Sequence, residues 1–385
     1  MQHFTEDTLA ATRADLPSLS PEAGPIIFAG TPEIAATCLA ELLQTGARVA
    51  AVLTRPDAEI GRRRRLTPSP VAQVADEHGI PVIKANRVDA EVTAELVAVG
   101  AELGVVVAYG TLLPSAALEA PTRGWVNLHY SKLPAYRGAA PVPHALLAGE
   151  TETAATVFQL ERGMDTGPIH GLVSYRVQEA TSSGTVLEDL TALGSRLLAA
   201  LLPDLLSGAS VPQAQEGEPS FAPKLTREDA FIDPRRPAAE LISRINATIP
   251  EPGAWTLNGE QRIKLGVARI YRPAGSDSAE KKPETEAPVA AEDTSQPETD
   301  VPIGTVLQLP AETAGAAPVI AFRAADGGFV VLSSVQPAGK QMINASDWFR
   351  GLQSQVRLGA PEAAAAEPDA DQISSLSTPT KDTKP

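Results

Sequence analysis

Residues 25–32 read PIIFAGTP, an apolar run that leads directly into the start of a helix. The part Ile26 to Ala29 is typical of a buried strand, because β-branched and aromatic side chains favour strands. Thr31 is predicted to cap a helix with Pro32 at its first position, running to about Gly46. The G-x-G-x-x-G spacing of a dinucleotide-binding turn is missing, so NAD binding is not expected.

Strands and helices alternate outward from this stretch. The predicted strands are 48–54, 81–84, 103–109, 125–129, 153–160 and 169–177, and the predicted helices are 71–78, 90–99 and 185–206. Such alternation is typical of a doubly wound α/β domain with a mostly parallel, Rossmann-like sheet. In sheets of this kind ligands bind beyond the carboxyl ends of the strands.

The net charge of −15 is unevenly distributed along the chain. Twelve of the fifteen net negative charges lie in residues 1–24, 274–300 and 361–385, which are predicted to be solvated. The remainder is close to neutral, which leaves a nucleic-acid partner open. The single cysteine, Cys38, fits a reducing cytoplasm and lies in a helical pattern that favours a buried small side chain. We expect no membrane span, secretory signal or transit peptide.

Composition predicts two domains. The predicted order is a disordered extension (1–24), an α/β domain (25–208), a linker (209–222), a second domain (223–358) and a disordered tail (359–385). In the second domain a helix is predicted at 238–247 and strands at 254–257, 263–271, 304–309, 319–322 and 328–335. Five short strands separated by Gly and Pro favour a small OB-like β-barrel. The acidic segment 274–300 is predicted as a disordered insertion between two of these strands.

Two polar side chains stand at the end of the strand 125–129. Asn127 and His129 are two residues apart, so strand geometry turns both to one face. The loop GMDTG at 163–167 supplies a carboxylate, Asp165, that we expect at the same place. An amide donor stabilises an oxyanion, an imidazole moves protons near neutral pH, and a carboxylate beside it favours the charged imidazolium. These groups are the ones needed to transfer an acyl group to an amine.

Other interpretations of these residues stay open on spacing alone. Asn and His before a proline turn are common turn-forming groups, and an Asp between glycines often only binds backbone amides. His144 and His170 are two further side chains of a type that can bind a metal ion. However, the sequence has no C-x-x-C, H-E-x-x-H or closely spaced His pair, so no metal site is expected.

A run of four arginines, Arg62, Arg63, Arg64 and Arg65, follows the second predicted strand. Adjacent guanidinium groups repel one another, so they suit a solvated basic loop or a surface that binds phosphate. Their position favours phosphate, because the expected site lies at the same edge of the sheet. Arginine binds phosphate through paired hydrogen bonds and stacks on unpaired bases.

The chain resembles the methionyl-tRNA formyltransferase family of folate-dependent enzymes from Pro25 to about Gly351. The motifs that carry the resemblance are Gly30-Thr31-Pro32, Val106 to Gly110, Asn127-x-His129, the loop 163–167, Arg137 to Pro141, Lys224-Leu225 and Val335 to Lys340. The order and length of these motifs make chance agreement very improbable.

The resemblance implies a specific reaction and specific contacts. The formyl group of 10-formyltetrahydrofolate would pass to the α-amine of methionyl initiator tRNA, with Asn127, His129 and Asp165 catalytic and no metal. Folate contacts would come from Ser131, Lys132, Leu133 and Pro134, with Lys132 replacing an apolar residue of the family. The arginine loop and the OB-like domain would bind tRNA. The expected protein is a cytoplasmic monomer.

Alternative functions remain for comparison. A formyltransferase for a small amine, such as glycinamide ribonucleotide or an amino sugar, needs the same Asn, His and Asp. It needs neither the four arginines nor the C-terminal barrel, which a formyltetrahydrofolate hydrolase would also lack. An RNA-binding protein with a vestigial site would bind tRNA without transferring formyl groups.

Overall fold

The computed structural model describes residues 2–4, 19, 23–61, 63–274, 301–313 and 315–359. Contacts divide the chain into two units, residues 1–230 with 242–254 and residues 231–241 with 255–385. The acidic insertion predicted at 274–300 lies outside the described residues except for Ala274, and the tail predicted at 359–385 does so except for Gly359.

The first unit is built on one large sheet. Its strands are β1 (Gln2–Phe4), β2 (Ile26–Gly30), β3 (Val49–Thr54), β4 (Ala58–Ile60), β5 (Arg65–Thr67), β6 (Val82–Lys84), β7 (Leu103–Val107), β8 (Trp125–His129), β9 (Glu152–Gln159) and β10 (Ile169–Arg176). The eight-stranded order is β1-β10-β9-β8-β7-β2-β3-β6, and β4 and β5 form a separate hairpin. The five strands from β8 to β6 are parallel, whereas β9 is antiparallel to both neighbours. The predicted α/β fold with a mostly parallel sheet is confirmed.

Helices cover both faces of this sheet. They are α1 (Glu33–Gln44), α2 (Pro70–Glu77), α3 (Ala90–Val99), α4 (Ser115–Leu118), α5 (Pro141–Leu147) and α6 (Ser183–Ser207). Buried side chains of α1 and α6 form one core with the sheet, and those of α3 and α4 form a second core on the opposite face. In the described part of the chain, only α6 is long and apolar enough to cross a membrane, and 67% of its apolar stretch is buried inside the protein.

Three local predictions are wrong. Thr31 does not cap α1, because its hydroxyl donates to the Tyr109 carbonyl at 3.0 Å and Pro32 is the N-cap. The disorder predicted for residues 1–24 does not extend to Gln2–Phe4, which pair in parallel with β10. The segment 209–222 is not a free linker, because it belongs to the first unit and Ala222 is fully buried.

The second unit is a small barrel preceded by a helix, α7 (Ala238–Ala247), which contributes residues to both units. Its strands are β11 (Trp255–Asn258), β12 (Gln261–Leu265), β13 (Ala268–Ile270), β14 (Val306–Leu309), β15 (Val319–Arg323), β16 (Phe329–Leu332), β17 (Ser334–Pro337) and β18 (Ile343–Asn344), and α8 (Ala345–Arg350) follows. All pair antiparallel, in the orders β11-β12-β17-β18 and β13-β16-β15-β14.

The barrel closes because two predicted strands bend. The predicted strand 263–271 becomes β12 and β13, and 328–335 becomes β16 and β17. Hydrogen bonds from Gly266 to Ser334 and from Ser333 to Val267 continue the ladder across the bend. A Cβ on Gly266 would lie 2.1 Å from the Ser334 hydroxyl, which explains the glycine there. Residues 357–358 bridge Thr305 to Asn258 and complete the ring.

Candidate active site

Asn127 and His129 project from β8 on the same face. Trp125, two residues earlier, is fully buried in the core formed with α3 and α4, so strand alternation turns Asn127 and His129 to that side. β7 and β9 flank β8 and place Asn127 beside Val106 and Phe158. The Asn127 residue is half-buried, and its carboxamide makes no hydrogen bond within the described ranges. It is therefore free to donate to a bound carbonyl group.

The imidazole of His129 is held in one orientation. Its Nε2 lies 3.0 Å from the Tyr136 carbonyl oxygen, and its ring meets Phe158 edge to face. A carbonyl only accepts hydrogen bonds, so Nε2 carries the proton when the ring is neutral. The other nitrogen, Nδ1, then has the lone pair and lies 3.9 Å from Oδ2 of Asp165.

Burial lowers the pKa of His129 below its ordinary value. The negative charge of Asp165 acts in the opposite direction but is outweighed by the loss of solvent around the ring. The resting imidazole is thus neutral at pH 7 and able to accept a proton. The prediction that Asp165 lies beside His129 is confirmed, and its carboxylate favours the charged imidazolium as predicted, but burial of the ring outweighs that effect.

The loop that carries Asp165 connects the ends of two strands close to the Asn127–Phe158 pair. It leaves β9 after Gln159 and enters β10 at Ile169, whose partner Phe158 is opposite Asn127. Asp165 has a positive φ of 51°, and its Oδ2 accepts a hydrogen bond from the Gly138 N–H at 2.8 Å. The loop thus folds over the face of the sheet with the carboxylate directed toward His129.

Gly138 is required by its surroundings. Its φ is +122°, and a Cβ would lie 2.8 Å from the Ala222 carbonyl oxygen. For both reasons, a residue with a side chain would fit here only if the backbone were distorted. The Arg137-Gly138 pair of the sequence therefore supplies the backbone donor that fixes the carboxylate of Asp165.

Residues 209–222, here called the strap, complete the site. Main-chain hydrogen bonds join Arg137 to Ser220 and Ala222 at 2.8 and 2.7 Å, and others join Gln213 to Ile169 in both directions. The side chain of Gln215 reaches the Asp165 loop. The strap was not predicted to be part of the site, because its Pro, Gly and Glu content is typical of linkers.

The four predicted folate contacts are placed differently from one another. Ser131, Leu133 and Pro134 are buried, and only the side chain of Lys132 is exposed. The Ser131 hydroxyl donates to the Ala135 carbonyl at 2.6 Å, which stabilises the turn. Their contact with folate stays a prediction.

Two of the four arginines lie in a turn between two strands rather than in an irregular loop. Arg62 lies outside the described residues; Arg63 and Arg64 are in the turn between β4 and β5, and Arg65 begins β5. All three described arginines are exposed, and Arg64 pairs with Glu59 at 2.5 Å. An exposed pair of this kind is easily exchanged for another anion. Nothing among the described hydrogen bonds and ion pairs links this hairpin to Asn127, His129 or Asp165.

A pocket of about 240 Å³ opens at the carboxyl edge of the sheet, on the face covered by α1 and α6. Its wall is largely apolar, and Lys224 and Glu251 are its charged residues. The other lining residues include Ile34, Ala108, Tyr130, Pro141 and Leu187. Within the residues that the structure describes, no group of three or more His, Cys, Asp or Glu side chains is arranged to hold a metal ion.

Comparisons of the amino-acid sequence match this chain to known enzymes. Residues 25–202 match the formyl transferase family and residues 224–353 match the formyl transferase C-terminal domain. Methionyl-tRNA formyltransferase from Paenarthrobacter aurescens (strain TC1) is 42% identical over 86% of this chain and 98% of its own length. The enzyme of that name from Clavibacter sepedonicus is 43% identical over 85% and 97%. The chain belongs to the methionyl-tRNA formyltransferase family.

Among solved structures, the fold of this formyltransferase is similar to that of WlaRD, a sugar 3N-formyl transferase determined in the presence of dTDP and 5-N-formyl-THF. The TM-score is 0.55 at 15% identity, covering 82% of this chain and 98% of WlaRD. At 15% identity, the likeness to WlaRD shows a shared fold and nothing more.

Proposed function

We propose that this protein transfers the formyl group of 10-formyltetrahydrofolate to the α-amine of methionyl initiator tRNA, giving formylmethionyl-tRNA. The observation that carries the proposal is the convergence of three groups. The lone-pair nitrogen of His129 faces the carboxylate of Asp165 at 3.9 Å, beside the unengaged carboxamide of Asn127. Relatives 42% and 43% identical bear the corresponding name.

The chemistry begins when the neutral amine attacks the formyl carbon. An α-amino group has a pKa of about 8, so roughly a tenth of it is neutral at pH 7 and able to attack. The carbonyl oxygen gains negative charge as the bond forms, and the Asn127 N–H donates to it. The main chain of Asn127 is held in a strand that is paired on both sides, which lowers the cost of reorganisation at this step.

Proton transfer then passes through His129. The attacking nitrogen loses a proton to Nδ1, and the resulting imidazolium forms an ion pair with Asp165. The imidazolium returns that proton to N10 of the folate as the carbon–nitrogen bond breaks and the carbonyl re-forms. The products are a formamide and tetrahydrofolate, and no step is assigned to a metal ion.

The donor is proposed to bind near the turn 131–134, with Lys132 exposed toward it. A fold relative, WlaRD, was determined with a formylated folate. The carboxylates of folate would suit the Lys132 ammonium group.

The acceptor is proposed to be held at three places. Arg62, Arg63, Arg64 and Arg65 would bind phosphates near the acceptor end, and the C-terminal barrel would bind the tRNA backbone. The apolar pocket beside Tyr130 and Leu187 suits the methionine side chain, because a thioether chain adapts to apolar walls. We propose that the protein acts as a monomer in the cytoplasm.

A direct comparison of acceptors tests this function. Purified protein with radiolabelled 10-formyltetrahydrofolate is offered methionyl initiator tRNA, glycinamide ribonucleotide and a nucleotide-linked amino sugar in parallel. We expect label on the tRNA alone. Label on either small amine instead would replace the proposal with the small-amine alternative, and tRNA binding without transfer would favour a vestigial site.

A further inference from the structure

Gln215 joins the strap to the loop that carries Asp165. Its Nε2 donates to the main-chain carbonyls of Asp165 and Gly167, both at 2.8 Å, and its Oε1 accepts a hydrogen bond from Arg137 Nη2 at 2.6 Å. One carboxamide therefore uses both N–H groups on the loop and its oxygen on the neighbouring turn. Its orientation is fixed from two sides.

The loop needs support of this kind. Asp165 has a φ of +51°, a conformation that costs a non-glycine residue free energy. Gly167 passes so close to β9 that a Cβ would lie 1.8 Å from the Gln159 carbonyl oxygen. Neither Asp165 nor Gly167 lies in a strand or helix, so their carbonyl groups require partners from elsewhere.

The two anchors of Asp165 come from adjoining residues. Gly138 donates to the carboxylate, and Arg137, the residue before it, donates to Gln215, which in turn donates to the Asp165 carbonyl. Side chain and main chain of Asp165 are thus fixed to the same turn. Loss of the Gln215 contacts leaves the hydrogen bond from Gly138 to the Asp165 carboxylate in place. It releases the main chain of the loop, which determines where that carboxylate points.

We propose that Gln215 is a positioning residue that holds the main chain of the 163–167 loop so that the carboxylate of Asp165 stays opposite Nδ1 of His129. The inference rests on the proposed catalytic role of Asp165. The side chain at this position must carry N–H groups, because a carboxylate has no hydrogen to donate to the two carbonyl groups.

Two variants, Gln215→Leu and Gln215→Glu, test the inference. Gln213→Leu is the matched control, because this exposed glutamine lies in the same strap and its bonds to Ile169 use the main chain. We expect kcat to fall at least about tenfold in both Gln215 variants, since small displacements of a catalytic group are costly. KM for methionyl initiator tRNA should stay within about twofold of wild type, and the control should retain full activity.

A second measurement separates positioning from a general structural role. The Asp165 carboxylate raises the pKa of His129, so a displaced carboxylate should lower that pKa further when it is followed by NMR. A Gln215→Leu protein with wild-type kcat and an unshifted His129 would overturn the inference. Equal loss of kcat in Gln213→Leu, or a fall in kcat with His129 unshifted, would also overturn it.

An Asp165→Asn variant distinguishes this inference from the proposed function. If Asp165→Asn turns over as fast as wild type, the proposed role of Asp165 is wrong. If Asp165→Asn is slow while both Gln215 variants are fast, only the inference about Gln215 fails.

Discussion

The Nε2 atom of His129 donates to the carbonyl of Tyr136 at 3.0 Å, and this bond assigns the lone pair to the nitrogen that faces Asp165. The tautomer is thus set by the backbone of the turn and not by the carboxylate. Two acceptors, Nδ1 and Oδ2, then face one another beyond hydrogen-bond distance. Arrival of a proton at Nδ1 converts this arrangement into an ion pair.

The pKa of His129 is expected to lie below 6.5 in the folded protein, because burial outweighs the field of Asp165. Asp165→Asn removes the charge that raises this pKa, so the value should fall further. NMR titration of histidine-labelled protein measures both, with His129→Gln to assign the signal among the five histidines. A pKa above 6.5 in wild type, or a rise in Asp165→Asn, would contradict the electrostatic account.

Asn127→Ala should lower kcat at least about a hundredfold, because it removes the donor to the developing oxyanion. Binding of tRNA should change little. The control is Asn86→Ala, which alters an exposed asparagine outside the cluster. Steady-state kinetics and filter binding measure the two effects, and near-normal turnover would refute the assigned role.

Replacement of Arg62, Arg63, Arg64 and Arg65 by Ala should raise KM for tRNA and flatten its salt dependence. Each arginine that binds a phosphate contributes about one unit to the slope of log affinity against log salt concentration. Arg48→Ala removes one exposed arginine elsewhere and should leave the slope unchanged. An unaltered slope in the fourfold variant would make the hairpin an ordinary solvated surface.

Leu187→Trp should fill the apolar pocket and raise KM for methionyl initiator tRNA about tenfold, because the methionine side chain loses its space. Initiator tRNA charged with alanine serves as the control substrate, since its side chain needs little of the pocket. An equal effect on both substrates would indicate that the pocket does not take the side chain.

His170 should make the folded protein less stable at acidic pH than at neutral pH. Burial lowers its pKa to about 4, and its ring contacts Ser210 and Gln159. The unfolded chain takes up this proton near pH 6.5, so stability is lost as the pH falls from about 6.5 toward 4. Protonation of this one group makes the free energy of unfolding about 2 kcal/mol lower at pH 5 than at pH 7.

His170→Gln should remove that part of the pH dependence, because glutamine keeps polar atoms at this position and does not titrate. Urea unfolding at pH 5 and pH 7 provides the measurement. His78→Gln, on the exposed end of α2, is the control and should leave the difference as in wild type. If His170→Gln also loses as much stability at pH 5 as the wild type, His170 does not cause the dependence.

Periodicity predicted the sheet well, because an apolar run such as Ile26–Gly30 is determined by local burial alone. The bend at Gly266 and the parallel pairing of Gln2–Phe4 were not predicted, since each depends on a partner distant in the chain. The same distinction holds for the site. Asn127 and His129 share a face by strand geometry, whereas the support from Gln215 depends on how the strap folds back.

The strap also determines where the chain can be cut between its two domains. A fragment or chimera joined at residue 208, where composition ends the catalytic domain, would exchange the very residues that brace Asp165 and Arg137. A junction after Ala254 keeps with their own host both the strap and residues 242–254, which belong to the same unit. A foreign tRNA-binding module grafted at the later junction should therefore give an enzyme with normal turnover, whereas the same module grafted at residue 208 should give a hybrid with a lowered kcat.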